Sequence, residues 1–238
     1  MADLLAIISH DRAKPVAADA LEAFGASYES LRGGGAHAQT VGTDWAKVQL
    51  IDPAAPPDIG IERAGEGWTA WAGALVDLTG AATRPLEALD GQFAMVRLEE
   101  DGTTLRVVAD PLGMKPLFTA EAGGATYVST SALVLAKHLR LPPSRDGFEA
   151  FLRTGNQFGR LTPWQGVARM LPAEALTMTP EGRERGAYWQ PSIEAELRAL
   201  PLEPCAEACV ARASAAIAAR YGDGRPWMDL TGGFDTRL

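Results

Sequence analysis

Gln92-Phe93-Ala94-Met95-Val96-Arg97-Leu98 alternates, turns at Asp101-Gly102 and returns through Leu105 to Ala109. Two apolar-flanked runs joined by so short a turn form a hairpin, which commits the middle of the chain to antiparallel sheet. The flanking sequence agrees. Leu4-Leu5-Ala6-Ile7-Ile8 is a compact apolar run ended by Ser9-His10-Asp11, the pattern of a buried strand. Val48–Ile51 and Trp68–Val76 read as further strands, and Leu117-Phe118 and Tyr127-Val128 flank a second turn at Gly123-Gly124. In this N-terminal part, helical spacing is confined to Ala17–Phe24, Ser131–Leu139 and Asp146–Leu152, and Pro142-Pro143 ends the second of these.

The character changes near residue 190. Pro191, Pro201 and Pro204 punctuate a linker-like stretch, and an amphipathic helix follows with Leu202, Cys205, Cys209, Val210, Ala213, Ile217 and Tyr221 on one stripe. Gly222-Asp223-Gly224 stops it. Trp227-Met228-Asp229-Leu230 then reads as a strand running into Thr231-Gly232-Gly233, the opening of an α/β unit. One strand cannot make a parallel sheet, so the second domain is expected to be incomplete in a chain ending at Leu238.

Composition excludes several classes. With 238 residues, 47% hydrophobic and 22% charged, the chain has a full core and is not disordered throughout. No apolar run approaches the ~18 residues that cross a bilayer, and no basic flank precedes the first apolar stretch as in a signal peptide. A net charge of −8 opposes non-specific nucleic-acid binding. Two cysteines cannot build a disulfide framework or a four-thiolate zinc site; on a shared helix face they read as small buried residues. His10, His37 and His138 are scattered, without metal-binding spacing. The expectation is a soluble, cytoplasmic protein with neither nucleic-acid nor membrane partners.

The sharpest local motif is Leu230-Thr231-Gly232-Gly233-Phe234-Asp235-Thr236-Arg237. Paired glycines between a strand and a helix start present a concave row of backbone N–H groups suited to phosphate oxygens. Hydroxyls of Thr231 and Thr236 add donors, and Asp235 can help hold a magnesium ion. The plain alternative is a tight turn. A Walker loop is excluded, because its lysine is missing.

This segment resembles the pyrophosphate-binding loop S-G-G-x-D-S of the ATP-pyrophosphatase superfamily. Upstream, Leu89-Asp90-Gly91-Gln92-Phe93-Ala94 and Ala109-Asp110-Pro111-Leu112-Gly113-Met114-Lys115-Pro116-Leu117-Phe118 resemble the L-N-G-x-F-A and R-D-x-x-G-x-K-P-L-Y blocks of the asparagine synthetase family. Pro163-Trp164-Gln165-Gly166-Val167, Met170-Leu171-Pro172-Ala173 and Tyr188-Trp189 follow in the family's order. The resemblance implies an α+β fold: a four-layer αββα N-terminal-nucleophile sandwich over residues 1–190, a glutaminase-like domain. Residues 191–238 would open a doubly wound α/β ATP-pyrophosphatase domain, truncated here.

The resemblance also implies what is missing. Family members attack glutamine with a cysteine exposed after Met removal, and this chain has Ala2 there, with no cysteine before residue 205. Ala72 stands where the family has its oxyanion-hole asparagine; the chain's one asparagine is Asn156. The segment that grips the glutamine amino group has no counterpart, and Lys47 is the candidate for the carboxylate-binding arginine. No catalytic residue remains. Asp110 and Lys115 read as a structural ion pair or turn anchor, and Trp68, Trp71 and Trp164 as core.

What the resemblance implies for function is an ATP-dependent amide-forming ligase, with ATP and Mg²⁺ as cofactors and Leu230, Thr231, Gly232, Gly233, Asp235 and Thr236 on the pyrophosphate. A small-molecule or peptide carboxylate would be activated and captured by ammonia or an internal amine. The branch of β-lactam synthetases and lasso-peptide cyclases, which lack the cysteine, is the preferred subclass. As this chain alone, activity is not expected. The alternative is a non-catalytic remnant or scaffold that pairs with a separate synthetase half or with a second copy of itself.

Overall fold

The computed structural model describes residues 2–33, 37–53, 59–76, 80–192 and 199–221. It divides into Met1–Gln190 and Pro191–Leu238. In the first unit β1 (Asp3–Ser9), α1 (Ala20–Arg32), β2 (His37–Gly42), β3 (Ala46–Asp52), β4 (Ile59–Ala64) and β5 (Gly67–Leu75) come first. A 3₁₀ turn (Leu86–Ala88) leads to β6 (Gly91–Leu98), β7 (Leu105–Ala109), β8 (Phe118–Ala122) and β9 (Ala125–Ser129). The unit ends with α2 (Ala132–Leu139), α3 (Arg145–Thr154), β10 (Val167–Arg169), β11 (Glu174–Thr179) and β12 (Gly182–Ala187).

The strands form two six-stranded sheets, ordered β10-β8-β9-β1-β3-β2 and β12-β11-β7-β6-β5-β4. Every pairing is antiparallel. Their facing sides close the main core. Leu4, Ala6 and Ile8 of β1 and Val48 and Leu50 of β3 share one cluster with Trp68, Ala70 and Ala72 of β5, Val96 of β6 and Val107 of β7. The alternate residues of β1, Leu5 and Ile7, turn to the other face and pack with Phe24 and Tyr28 of α1 and Val134 and Leu135 of α2. Burial on both faces is why β1 reads as an unbroken apolar run rather than an alternation.

The outer face of the second sheet carries no long helix among the described residues. Trp71, Phe93, Met95 and Val108 are covered there by Ala81, Leu86 and Leu89 from the 3₁₀ turn and the chain around it, with Tyr188 alongside. This thin cover makes the fourth layer. Arg97, 3% exposed, holds it from below, donating to the carbonyls of Ala81 (2.5 Å) and Arg84 (2.9 Å) and to Thr69 Oγ1 (3.2 Å). Gly60 lies opposite Trp71; a Cβ there would come within 2.2 Å of the indole, so only glycine lets the ring lie flat on β4.

Several expected elements shift. The predicted helix over Ala17–Phe24 begins at Ala20 and runs to Arg32, because Phe24 and Tyr28 continue its buried stripe until Gly33 turns out at φ 83°. The hairpin at Gly123-Gly124 is a two-residue turn with both φ positive, 58° and 77°. At the β6–β7 hairpin the loop is longer, and the Asp101 carboxylate closes it by accepting the N–H groups of Thr103 (2.7 Å) and Thr104 (2.8 Å). Those bonds hold the carboxyl down at about 2.

In the second unit the described structure is one helix, α4 (Leu202–Tyr221), with Pro204 in its first turn, where a missing N–H costs nothing. Leu202, Val210 and Ile217 of the apolar stripe are exposed, and Cys205 and Cys209 are free thiols. The strand expected at Trp227–Leu230 and the residues Leu230, Thr231, Gly232, Gly233, Asp235 and Thr236 lie outside the described residues. Among the described residues no helix is long and apolar enough to cross a membrane.

Candidate functional site

The N-terminal end of β1 is where the sequence places the family's nucleophile. Ala2 is buried there, 3% exposed, in the core shared by both sheets, and Ala72 of β5 lies in the same core. Lys115, on the β7–β8 connection, is also buried and donates its Nζ to the Ala2 carbonyl. The connection is shaped by Asp110, whose fully buried carboxylate accepts the backbone N–H groups of Leu112 (3.1 Å), Met114 (3.0 Å) and Lys115 (2.7 Å). The Asp110 carbonyl accepts from Gly113 (3.0 Å) and Ala173 (2.9 Å). A buried carboxylate stays in place only when its lone pairs are met, and here the turn it organises meets them. Asp110 is the turn anchor the sequence suggested.

Asp3 is held as firmly. Thr130 Oγ1 donates to Asp3 Oδ1 at 2.5 Å and Tyr28 donates to Oδ2 at 3.0 Å. Thr130 Oγ1 in turn accepts the Leu4 N–H at 3.2 Å, and the Thr130 N–H donates to the Leu4 carbonyl at 3.1 Å. Tyr28 is brought by α1 and Thr130 by the corner between β9 and α2. Sequence reasoning missed both; the one hint was an aspartate placed directly before the apolar run Leu4–Ile8.

The chemistry available here is narrow. Ala2 offers no nucleophile, and its side chain is a methyl. The Thr130 hydroxyl is spent on Asp3 and Leu4. Burial, the Asp3 charge and the Asp3 hydrogen bond push the Tyr28 hydroxyl up to about 12, so it stays protonated at neutral pH. Ala72 supplies no side-chain donor for an oxyanion. The cluster ties α1, the β9–α2 corner and the β7–β8 connection to the first residues of β1 and leaves no group among them for acyl transfer.

Lys47 is elsewhere. Asp3 pairs with Ile51 but Ile7 pairs with Lys47, four register steps along β1, or about 13 Å. Lys47 shares the helix-bearing face of its sheet with Ile7 and lines a cleft of about 540 Å³ between α1, β2 and the turn after it. The histidines are dispersed. His10 sits with Glu121 (2.8 Å), Thr126 (3.0 Å) and Arg183 (2.9 Å), and His138 stacks on Phe24 with centroids 4.7 Å apart. Among the described residues no group of three His, Cys, Asp or Glu is placed to hold a metal ion. The donor set Thr231-Gly232-Gly233-Phe234-Asp235-Thr236 suits phosphate and Mg²⁺ in its chemistry, and its geometry falls outside the described residues.

The other end of the first unit is closed by Tyr188. Its N–H donates to the Ala173 carbonyl (2.9 Å) and its hydroxyl to the Ala109 carbonyl (2.8 Å), next to Asp110. Burial, then the charge of Asp110, raises its pKa.

No curated protein sequence matches the chain. Among solved structures it is similar to a glutamine phosphoribosylpyrophosphate amidotransferase from B. subtilis complexed with ADP and GMP, at 14% identity and a TM-score of 0.49, covering 79% of this chain and 50% of that one. A structure described as the allosteric regulatory enzyme of purine biosynthesis matches at 15% identity and a TM-score of 0.44, covering 79% and 49%. The chain thus spans about half the length of these structures. Residues 74–189, from the end of β5 to just past Tyr188, match the glutamine amidotransferase domain family.

Proposed function

We propose that this amidotransferase-type domain no longer hydrolyses glutamine and serves as the folded N-terminal half of an asparagine synthetase-like, ATP-dependent amide-forming ligase. One observation carries the first part. The position of the nucleophile is Ala2, and Lys115 occupies its carbonyl while Asp3, Tyr28 and Thr130 bond one another. In an N-terminal-nucleophile amidotransferase, glutamine hydrolysis uses an N-terminal thiol or hydroxyl beside a free base, and among the described residues no such pair stands at this end of β1.

The second part rests on the order of the matched sequence blocks and on the donor chemistry of residues 230–236. Thr231, Gly232, Gly233 and Thr236 would hold the pyrophosphate of ATP, and Asp235 its Mg²⁺. Bound there, ATP supplies the activation of a carboxylate. Ammonia or an internal amine then replaces glutamine as the nitrogen source, as in the branch that closes rings. The exposed Leu202, Val210 and Ile217 of α4 favour, as a second reading, a scaffold that meets a separate synthetase half.

The test has two arms. The purified chain incubated with glutamine should release no ammonia above a blank, and measurable turnover would sink the first part. Calorimetric titration of this chain with Mg-ATP should give weak heats or none, whereas a protein carrying the rest of the synthetase domain should bind it and Asp235→Ala should weaken that binding. Heats identical in the variant would remove the pyrophosphate assignment while leaving the first part standing.

A further inference from the structure

The helices leave part of the first sheet bare. At the end of β1 remote from Ala2, Ile7 pairs with Tyr127 and Ser9 with Ala125, and these four residues share the helix-bearing face. α1 starts only at Ala20, so they become the floor of a cleft of about 470 Å³. Its walls are the chain between His10 and Ala20 and the turn at Gly123-Gly124. That is room for a small molecule. Ser9, Ala17, Ala20 and Ala125 are short side chains that leave the space, while Ile7 (2% exposed), Val16 (8% exposed) and the Tyr127 ring supply apolar surface.

The side-chain donors on the lining are accounted for, with two exceptions. The Ser9 hydroxyl donates to the Asp11 carbonyl (2.8 Å), and His10 Nε2 is held among Glu121, Thr126 and Arg183. Asp11, the one carboxylate on the lining, accepts the Ala13 N–H on Oδ1 (3.0 Å). Tyr127 is the first exception. The hydroxyls of Tyr28 and Tyr188 reach Asp3 and the Ala109 carbonyl, but that of Tyr127 has no partner among the described residues, although its ring is half-buried beside Phe24 and His138. Lys14 is the second, since its ammonium meets only Asp11 Oδ2, at 3.9 Å. A phenol O–H and an ammonium are both donors, so the group that complements them is a negatively charged acceptor.

We propose that this cleft binds a small carboxylic acid with an aromatic or branched aliphatic body. The apolar part lies on Ile7, Val16 and the Tyr127 ring, and the carboxylate accepts from the Tyr127 hydroxyl and the Lys14 ammonium. A few polar groups placed at the rim of an apolar floor are what fix the orientation of such a ligand. The hydrogen bond from Tyr127 is the stronger of the two contacts, because the ring is half-buried whereas Lys14 is largely in solvent.

Phenylacetate is the probe, with phenylacetamide as its uncharged counterpart, each titrated against the full chain by ligand-detected NMR. Phenylacetate should bind with a Kd of about 1 mM or below, and phenylacetamide roughly tenfold more weakly. Tyr127→Phe should weaken phenylacetate roughly tenfold, the loss of one hydrogen bond to a charged group. It should melt at the parent's temperature, because the hydroxyl has no partner to lose in the unliganded fold. Lys14→Gln should weaken binding about threefold and remove its dependence on salt. Ala125→Leu should fill the floor of the cleft and abolish binding. No binding at about 10 mM phenylacetate overturns the proposal, and so does equal binding of the amide. Unchanged affinity in Tyr127→Phe or in Ala125→Leu would put the ligand elsewhere on the chain and overturns it as well.

Discussion

Replacing Asp3 by asparagine probes the cluster at the start of β1 with the least change of shape. Both carboxylate oxygens are engaged, by Thr130 at 2.5 Å and by Tyr28 at 3.0 Å, and Asp3 is 3% exposed. Asparagine keeps one acceptor and turns an NH₂ group toward the other hydroxyl, which is itself a donor. One charge-assisted bond becomes a neutral bond of about half the strength, a loss of roughly 1 kcal/mol. The other becomes a buried donor–donor contact, costing about 2 kcal/mol. The total is about 3 kcal/mol, which for a domain of this size lowers Tm by about 6–12 °C. A second readout is independent of stability. Of the causes that raise Tyr28 to about 12, burial is the largest and the Asp3 charge comes next. Asp3→Asn removes the charge and leaves the burial, so the Tyr28 pKa should fall but stay above 10. Thermal melts monitored by circular dichroism and spectrophotometric titration of the tyrosines, with Tyr28→Phe to assign the signal, measure both. An unchanged Tm together with a Tyr28 pKa still near 12 would refute the account of this cluster.

Ala2→Cys should not restore glutaminase activity, since Lys115 still holds the residue 2 carbonyl and Ala72 still lacks an oxyanion donor; an ammonia assay decides. Arg97→Met should cost about 2–4 kcal/mol by removing the guanidinium that donates to the Ala81 and Arg84 carbonyls, and hydrogen exchange should quicken in residues 80–89 before elsewhere. Glu174 is pushed up by burial, but its bonds to Arg160 and the Leu171 N–H, with the charges of Arg160 and Arg185, bring its carboxyl below the ordinary value of 4.5. It therefore adds stability above about pH 4.5, which fades as pH falls through the lowered pKa, and Glu174→Gln should flatten that part of a Tm-against-pH curve.

What was legible in the sequence was whatever is buried on a regular period. The run Leu4–Ile8, the β6–β7 hairpin and the turn at Gly123-Gly124 announce themselves because core contacts and glycine φ values act on local sequence. Edge strands do not. β2 and β12 expose almost every residue, so no alternation of burial marks them. β11 alternates only weakly, and its outer neighbour β12 carries Arg185, which reaches both Glu174 and Thr119. At the candidate site the asymmetry is similar. The missing thiol could be counted, and the Asp110 turn showed in its own hexapeptide. The bond from Lys115 to Ala2 spans 113 residues and Thr130 meets Asp3 across 127, separations over which local pattern carries no signal. The resemblance puts Lys47 at the carboxylate site, and only strand register shows that it faces α1 instead of the end of β1.

The reach of Tyr188 sets where the first unit can be cut. Its ring packs against the cluster that holds Met95 and Val108, its hydroxyl meets the Ala109 carbonyl and its N–H the Ala173 carbonyl, so the last turn of the first unit is also a rivet in the outer wall of the second sheet. An excised domain ending at residue 186 would lose the rivet with the aromatic and bare the strands beneath, whereas one ending at Gln190 keeps both. Protease fragments of the chain should therefore accumulate with Tyr188 as part of the resistant piece, and truncations on either side of it should differ sharply in solubility although only a few residues separate them.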